Sequence, residues 1–206
     1  MIKKVFTYTT YLITLGFFVA VAHELWYRDW MGVFVVTQGI LISFLPYILR
    51  MYFDIYSPFA LRVGIVLFLF STLVLGEIAN FYSTYHWWDL VLHGVASMGI
   101  TLIMFIFLLI FFTRIELKLI AEFATFLAVG TSLAFAVLWE IYEFVIDIYF
   151  ETDSLMQPSN FDTMTDLSIS VVGAVLVGVF GYRYIKWKTQ DVISRVIHLG
   201  AVRNSH

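Results

Sequence analysis

Apolar residues run along this chain in stretches of about twenty, separated by short polar clusters, and six such stretches can be drawn. They cover about Val5 to Ala22, Val33 to Tyr52, Phe59 to Phe81, Leu90 to Thr113, Phe123 to Asp147 and Asp166 to Tyr184. As helices, they are long enough to cross a hydrocarbon core of roughly 30 Å. Inside that core an open strand leaves backbone groups without partners, so the stretches are predicted to be helical. The pattern predicts an all-α integral membrane bundle of six transmembrane helices. It forms a single domain over residues 1–206, with residues 185–206 as a basic tail.

Three stretches carry a second signal. The first, with Lys3, Lys4 and Ala20-Val21-Ala22, also resembles a cleavable signal peptide, although a retained helix is expected. The tail mixes Trp187, Val192, Ile193, Val196 and Ile197 with basic residues. Either a short interfacial helix anchored by Trp187 or a frayed end fits that mixture. In the sixth stretch Ser170, Ala174 and Gly178 recur every four residues, a spacing that suits close helix packing.

Composition narrows the class further. Of 206 residues 61% are hydrophobic and 13% charged, with a mean hydropathy of +0.90. That is too little charge to clothe a soluble domain of this size, and the bilayer is the expected partner, with no nucleic acid. There is no cysteine, which excludes disulfides, thiolate metal sites and cysteine nucleophiles together.

The net charge of −3 matters less than how the charges are sorted. With the N-terminus inside, Lys3, Lys4, Arg50, Arg62, Arg114, Lys118, Arg183, Lys186, Lys188, Arg195 and Arg203 all fall on the cytoplasmic side, and only Arg28 falls outside. The positive-inside rule then puts both termini in the cytoplasm of a bacterial cell membrane. Asp54, Glu116, Glu122 and Asp191 accompany the basic residues, but every other acid belongs to outer loops or the outer halves of spans. Acids contribute little to the positive-inside rule, so the acidic end needs its own explanation.

Four short stretches carry those acids. WWDLVLH holds Asp89 and His93 four apart, one helical turn and one face. LWEIYEFVID holds Glu140, Glu143 and Asp147 at i, i+3 and i+7, again a single stripe. FDTMTDL holds Asp162 and Asp166 four apart where the chain re-enters the membrane, and Glu77 and Asn80 lie near the outer end of the third span. At about 1.5 Å per residue, Glu140 lies roughly 10 Å deeper than Asp147 and must face the bundle interior. An isolated ionised carboxylate at that depth costs several kcal/mol. It must be protonated, paired, wet or bound to a cation. The outer half offers only Arg28, His23, His86 and His93, so the charge balance points to protons, water or a divalent metal ion. Carboxylates with one imidazole suit Mg, Ca or Mn, and also iron or zinc in a mixed site. Helical bundles hold di-metal centres by a related logic, although the Glu-x-x-His signature is missing here.

Blander roles stand beside that one. Asp162 and Asp89 can each cap a helix, with Asp166 favouring the first-turn dipole and His93 a hydrogen-bonded core histidine. Asp147, Glu151 and Asp153 can be solvated. Trp87, Trp88, Trp139, Tyr82, Tyr85 and Tyr142 fit an outer aromatic belt better than substrate platforms. Glu140 and Glu143 can form a protonated network that holds helices together.

Through WWDLVLHGVASMG, LWEIYEFVID and FDTMTDLSISVVGA, spanning residues 87–174, the chain resembles the YjdF-like bacterial inner-membrane proteins and, distantly, the VanZ-like envelope proteins. The GEIANFY stretch at Gly76 to Tyr82 adds to the likeness. The pattern of Trp-Asp with a later His, then Trp-Glu-x-x-Glu, then Asp-Thr-x-x-Asp falls on Asp89, His93, Glu140, Glu143, Asp162, Thr163 and Asp166. Thr165 stands where that pattern has Trp. The YjdF-like family has no assigned chemistry, so the resemblance implies a fold and a motif set, not a reaction.

The expectation is therefore an outward-opening acidic cavity that binds one or two divalent cations through Asp89, His93, Glu140, Glu143, Asp162 and Asp166. If it is catalytic, metal-activated water would attack a lipid-linked or cell-envelope substrate, with Glu140 or Glu143 as general base. No arginine pair for phosphate lies on that face, which counts against phosphoester chemistry. A proton- or cation-coupled transporter ranks lower, because the inner halves of the spans are nearly all apolar. An accessory membrane protein with a buried carboxyl network is the remaining alternative.

Overall fold

Long apolar runs leave the helix as the way to pair every backbone group in hydrocarbon. In the computed structural model, which describes residues 2–44, 48, 51–52, 59–150 and 159–203, every element is helical. These are α1 (Ile2–Tyr27), α2 (Trp30–Ser43), α3 (Phe59–Leu69), a π-helical stretch (Phe70–Ile78), α4 (Phe81–Thr84), α5 (Trp88–Arg114), α6 (Ala121–Phe150) and α7 (Asn160–Arg203). Three segments, Trp88–Arg114, Ala121–Tyr149 and Asn160–Lys188, are long and apolar enough to cross a membrane. Leu15–Tyr27, Gly32–Leu41 and Val63–Gly76 are shorter apolar helices. Glu151 and Asp153 lie outside the described residues. The last helix is longer than the apolar pattern predicts, continuing without a break from the sixth stretch through the tail to Arg203.

The chain divides into two compact units, residues 1–92 and 93–206, with the division inside the first turns of α5. In the first unit Phe17, Leu69 and Leu73 form a buried core against which Ile40 and Ile65 pack. The turn from α1 to α2 is a Schellman motif. Asp29 N donates to Glu24 O at 2.9 Å and Arg28 N to Leu25 O at 3.3 Å, with Arg28 in the left-handed region at φ 58°. Asp29 then caps α2, its Oδ1 accepting the Gly32 N–H at 3.0 Å.

The second unit builds its core from one stripe on each long helix. His93, Ser97, Thr101, Phe105 and Leu108 are buried along α5, and Ala124, Ala128, Ser132, Ala136, Glu140, Glu143 and Ile146 along α6. Asp166, Ser170, Ala174 and Ile185 are buried along α7. The residues recur every three or four positions, or eleven (about three turns) between Ala174 and Ile185, so each stripe follows one helix face.

The stripes line up in three tiers. Ionisable groups occupy the end where α5 and α7 begin. Hydroxyls and small residues fill the middle, and Phe105, Leu108, Leu119, Ala121, Ala124, Ala128 and Ile185 form an apolar cluster at the other end. The middle tier depends on small side chains, because van der Waals contact between backbones does most to hold helices together in lipid. A Cβ added at Gly173 on α7 would sit 2.6 Å from the carbonyl oxygen of Gly94 on α5, so backbone approaches backbone there. Ser132 on α6 donates its hydroxyl to the Ser97 carbonyl on α5 at 2.9 Å, and Thr101 donates to the same oxygen at 2.8 Å. Ser170, Ala174 and Gly178, the four-residue repeat, are all buried at these contacts.

Candidate metal centre

The ionisable tier begins with His93. The helical periodicity of α5 turns His93 to the same buried face as Ser97 and Thr101, away from the exposed Val91 and Val95. Across from it α6 presents Glu140 and Glu143 on the stripe that carries Ala128, Ser132 and Ala136 deeper in. From α7 comes Asp166, one turn above Ser170. These four side chains are 2–7% exposed, so little solvent reaches them from outside the bundle.

Their distances suit shared coordination. Glu140 Oε1 lies 3.6 Å from His93 Nδ1. His93, Glu140 and Glu143 can each offer a ligand atom such that all three lie within 4.8 Å of one another. Asp166 from α7 likewise offers a carboxylate oxygen within 4.8 Å of a His93 ring nitrogen, so His93 is common to both groupings. One imidazole with several carboxylates is a mixed oxygen and nitrogen donor set, which suits Mg, Mn, iron or zinc more than a soft metal.

The charge balance sharpens the case. No lysine or arginine occurs between Arg62 and Arg114, or between Lys118 and Arg183. An acid at mid-helix costs about 3 kcal/mol on insertion scales. Three buried carboxylates around one imidazole therefore favour binding a cation or sharing protons.

Not every expected residue joins the cluster. Asp162 is half-buried and stands one turn outward of Asp166 on α7, outside both three-residue groupings. Nor does it cap α7. Ser159 takes that role, its Oγ accepting the Asp162 N–H at 3.2 Å, so Asp162 occupies the third helical position. Asp89 likewise sits within the first turn of α5, where its charge meets the positive end of the helix dipole. Asp147 is half-buried, Asn80 is exposed and left-handed at φ 60°, and the Glu77 side chain lies outside the described residues.

Two features were not singled out from the sequence. Trp139 does more than face the membrane, since its Nε1–H donates to Glu143 Oε1 at 2.8 Å. The i, i+4 spacing of Trp139 and Glu143 on one helix was the available signal. The second is the hydroxyl tier directly beneath the acids. Ser97 and Ser170 follow His93 and Asp166 by one turn each, and the Ser170 hydroxyl is buried with no hydrogen-bond partner among the described residues.

A family of predicted membrane proteins, DUF2238, matches residues 6–187. The chain belongs to that family. No curated protein and no solved structure shows significant similarity to it. Membership of DUF2238 and the three long apolar helices together make this a membrane protein in contact with the lipid bilayer. The match covers α5, α6 and the membrane-crossing part of α7, so the whole acidic cluster lies within the DUF2238 region.

Proposed function

We propose that this DUF2238 protein binds a divalent metal ion in the acidic tier of its second unit, through His93, Glu140, Glu143 and Asp166. Asp89 and Asp162 would complete or orient the ligand set from the adjoining helix turns. The observation that carries the reading is the convergence of His93, Glu140 and Glu143, with ligand atoms within 4.8 Å of one another in a buried setting. In this reading the chain crosses the bacterial cytoplasmic membrane six times with both termini inside, and the acidic tier lies toward the extracytoplasmic face. The sorting of lysine and arginine supports that orientation.

A metal held there would supply Lewis acidity at the outer leaflet. Glu140 and Glu143 are the candidates for a general base, and a lipid-linked or cell-envelope molecule is the substrate class that reaches such a site. Coupled transport has weaker support. A conducted ion would have to cross the cluster of Phe105, Leu108, Ala124, Ala128 and Ile185 at the other end of the unit.

One observation favours a purely structural network of carboxyl groups. The Trp139 hydrogen bond already occupies one oxygen of Glu143. Metal analysis of the purified protein separates the two readings. The native chain should hold a near-stoichiometric transition metal or Mg, and the Glu140→Ala, Glu143→Ala double variant should hold only background. Background metal in both, with equal melting temperatures, overturns the metal site.

A further inference from the structure

At the end of the second unit remote from the acids, α6 and α7 do not close against each other along their outer faces. A groove of about 460 Å³ runs between them, within the range of small-molecule sites. Its floor is the close approach of the two helices, where a Cβ added at Gly178 would sit 2.7 Å from Val129 Cγ2. Its walls are Phe126 and Leu133 from α6 and Val175 and Val179 from α7, and Phe126 is 75% exposed on the rim. Gly130 opens onto the groove, where an added Cβ would meet nothing within 4 Å.

One end of this apolar slot is polar. The Tyr182 hydroxyl donates to Glu122 Oε1 at 3.1 Å and accepts from Lys186 Nζ at 2.8 Å. The ammonium of Lys186 also lies 5.1 Å from the Tyr182 ring centroid. It has three N–H donors and uses one on Tyr182, which leaves donors for an incoming anion. Arg114, Lys118, Arg183, Lys186 and Lys188 gather at this end of the unit, against Glu116 and Glu122. A slot lined by hydrocarbon and ending under surplus positive charge is complementary to an acyl chain that carries an anionic headgroup.

We propose that the α6–α7 groove is a binding site for one anionic phospholipid. Its acyl chain lies along Gly130 and Val179, and its phosphate sits at Lys186 and Arg183. The site is separate from the acidic tier and does not depend on the metal reading.

Native mass spectrometry of the full chain released from mild detergent, with thermal melting of delipidated protein, tests it. Phosphatidylglycerol and phosphatidylcholine are the added lipids. The native protein should retain one anionic phospholipid, and its melting temperature should rise more with phosphatidylglycerol than with phosphatidylcholine. Gly130→Leu, which fills the slot, should abolish retention. Lys186→Gln should still bind a chain but lose about fivefold in its preference for phosphatidylglycerol, roughly 1 kcal/mol for one basic residue near the surface. Should Gly130→Leu fail to fold, Lys186→Gln and the two-lipid comparison on native protein decide alone. Equal retention in native protein and Gly130→Leu, or equal response to the two lipids, overturns the proposal. So does a Gly130→Leu variant that dissociates a dimer with its lipid unchanged, because the groove would then take a second copy.

Discussion

His93 Nδ1 on α5 and Glu140 Oε1 on α6 lie 3.6 Å apart, both side chains buried, in a region where the chain has no lysine or arginine. The pair links two helices that are also joined in the tier beneath by the Ser132 hydroxyl on the Ser97 carbonyl.

That proximity predicts energetic coupling. His93→Ala and Glu140→Ala should each destabilise the protein. The double variant should lose less than the sum of the two by about 0.5–3 kcal/mol, as contacting residues do. Unfolding in detergent with a chelator present measures this without a contribution from metal. Strict additivity would mean that the two side chains do not interact.

Trp139→Phe should act on the metal and not on the fold. The indole is 43% exposed, so its packing contributes little, but its Nε1–H orients Glu143. Loss of such a supporting hydrogen bond typically weakens metal affinity about 10–100-fold. Metal titration of the variant beside native protein, with melting temperature as control, reads both. A large fall in melting temperature with unchanged affinity would make the bond structural.

Gly173 and Gly94 face each other, but they should not be equally sensitive. An added Cβ at Gly173 meets the Gly94 carbonyl oxygen at 2.6 Å, which is backbone and must shift. At Gly94 the nearest atom is Ile169 Cγ1 at 3.3 Å, a side-chain carbon that can turn aside. Gly173→Ala should cost about 1–3 kcal/mol of stability and Gly94→Ala clearly less. Equal effects in an unfolding assay would contradict this close approach.

Glu116 closes α5 in the left-handed region at φ 57°, inside a Schellman motif where Leu117 N donates to Phe112 O at 3.1 Å and Glu116 N to Thr113 O at 3.3 Å. A residue with a Cβ pays roughly 1–2 kcal/mol for that conformation, and glycine does not. Glu116→Gly should therefore raise stability by up to about 1 kcal/mol once the extra freedom of its unfolded chain is deducted. A fall in melting temperature would show that the Glu116 side chain contributes more than its backbone conformation costs.

Helix and membrane were legible from the apolar run lengths, because hydrocarbon admits few other ways to satisfy a backbone. The faces of the acids were legible too, since the i, i+3 and i+4 spacings of Asp89 with His93 and of Glu140 with Glu143 are properties of one helix. Helix ends were less so. Ser159, not Asp162, accepts the capping hydrogen bond, and a choice between neighbouring polar residues turns on local dihedrals that spacing does not specify.

By itself, then, the sequence determined an all-helical membrane protein, and it determined which side chains each long helix turns to a common face. Tertiary structure decided which faces meet. It brought Glu140 and Glu143 of α6 to His93 of α5, and it set Gly173 against the Gly94 backbone. It also left a groove beside Gly130 between the outer faces of α6 and α7. The physical reason is range. Helical periodicity is enforced by hydrogen bonds four residues apart, whereas the pairing of helices depends on small differences in packing among residues dozens of positions apart, such as Ser97 and Ser132.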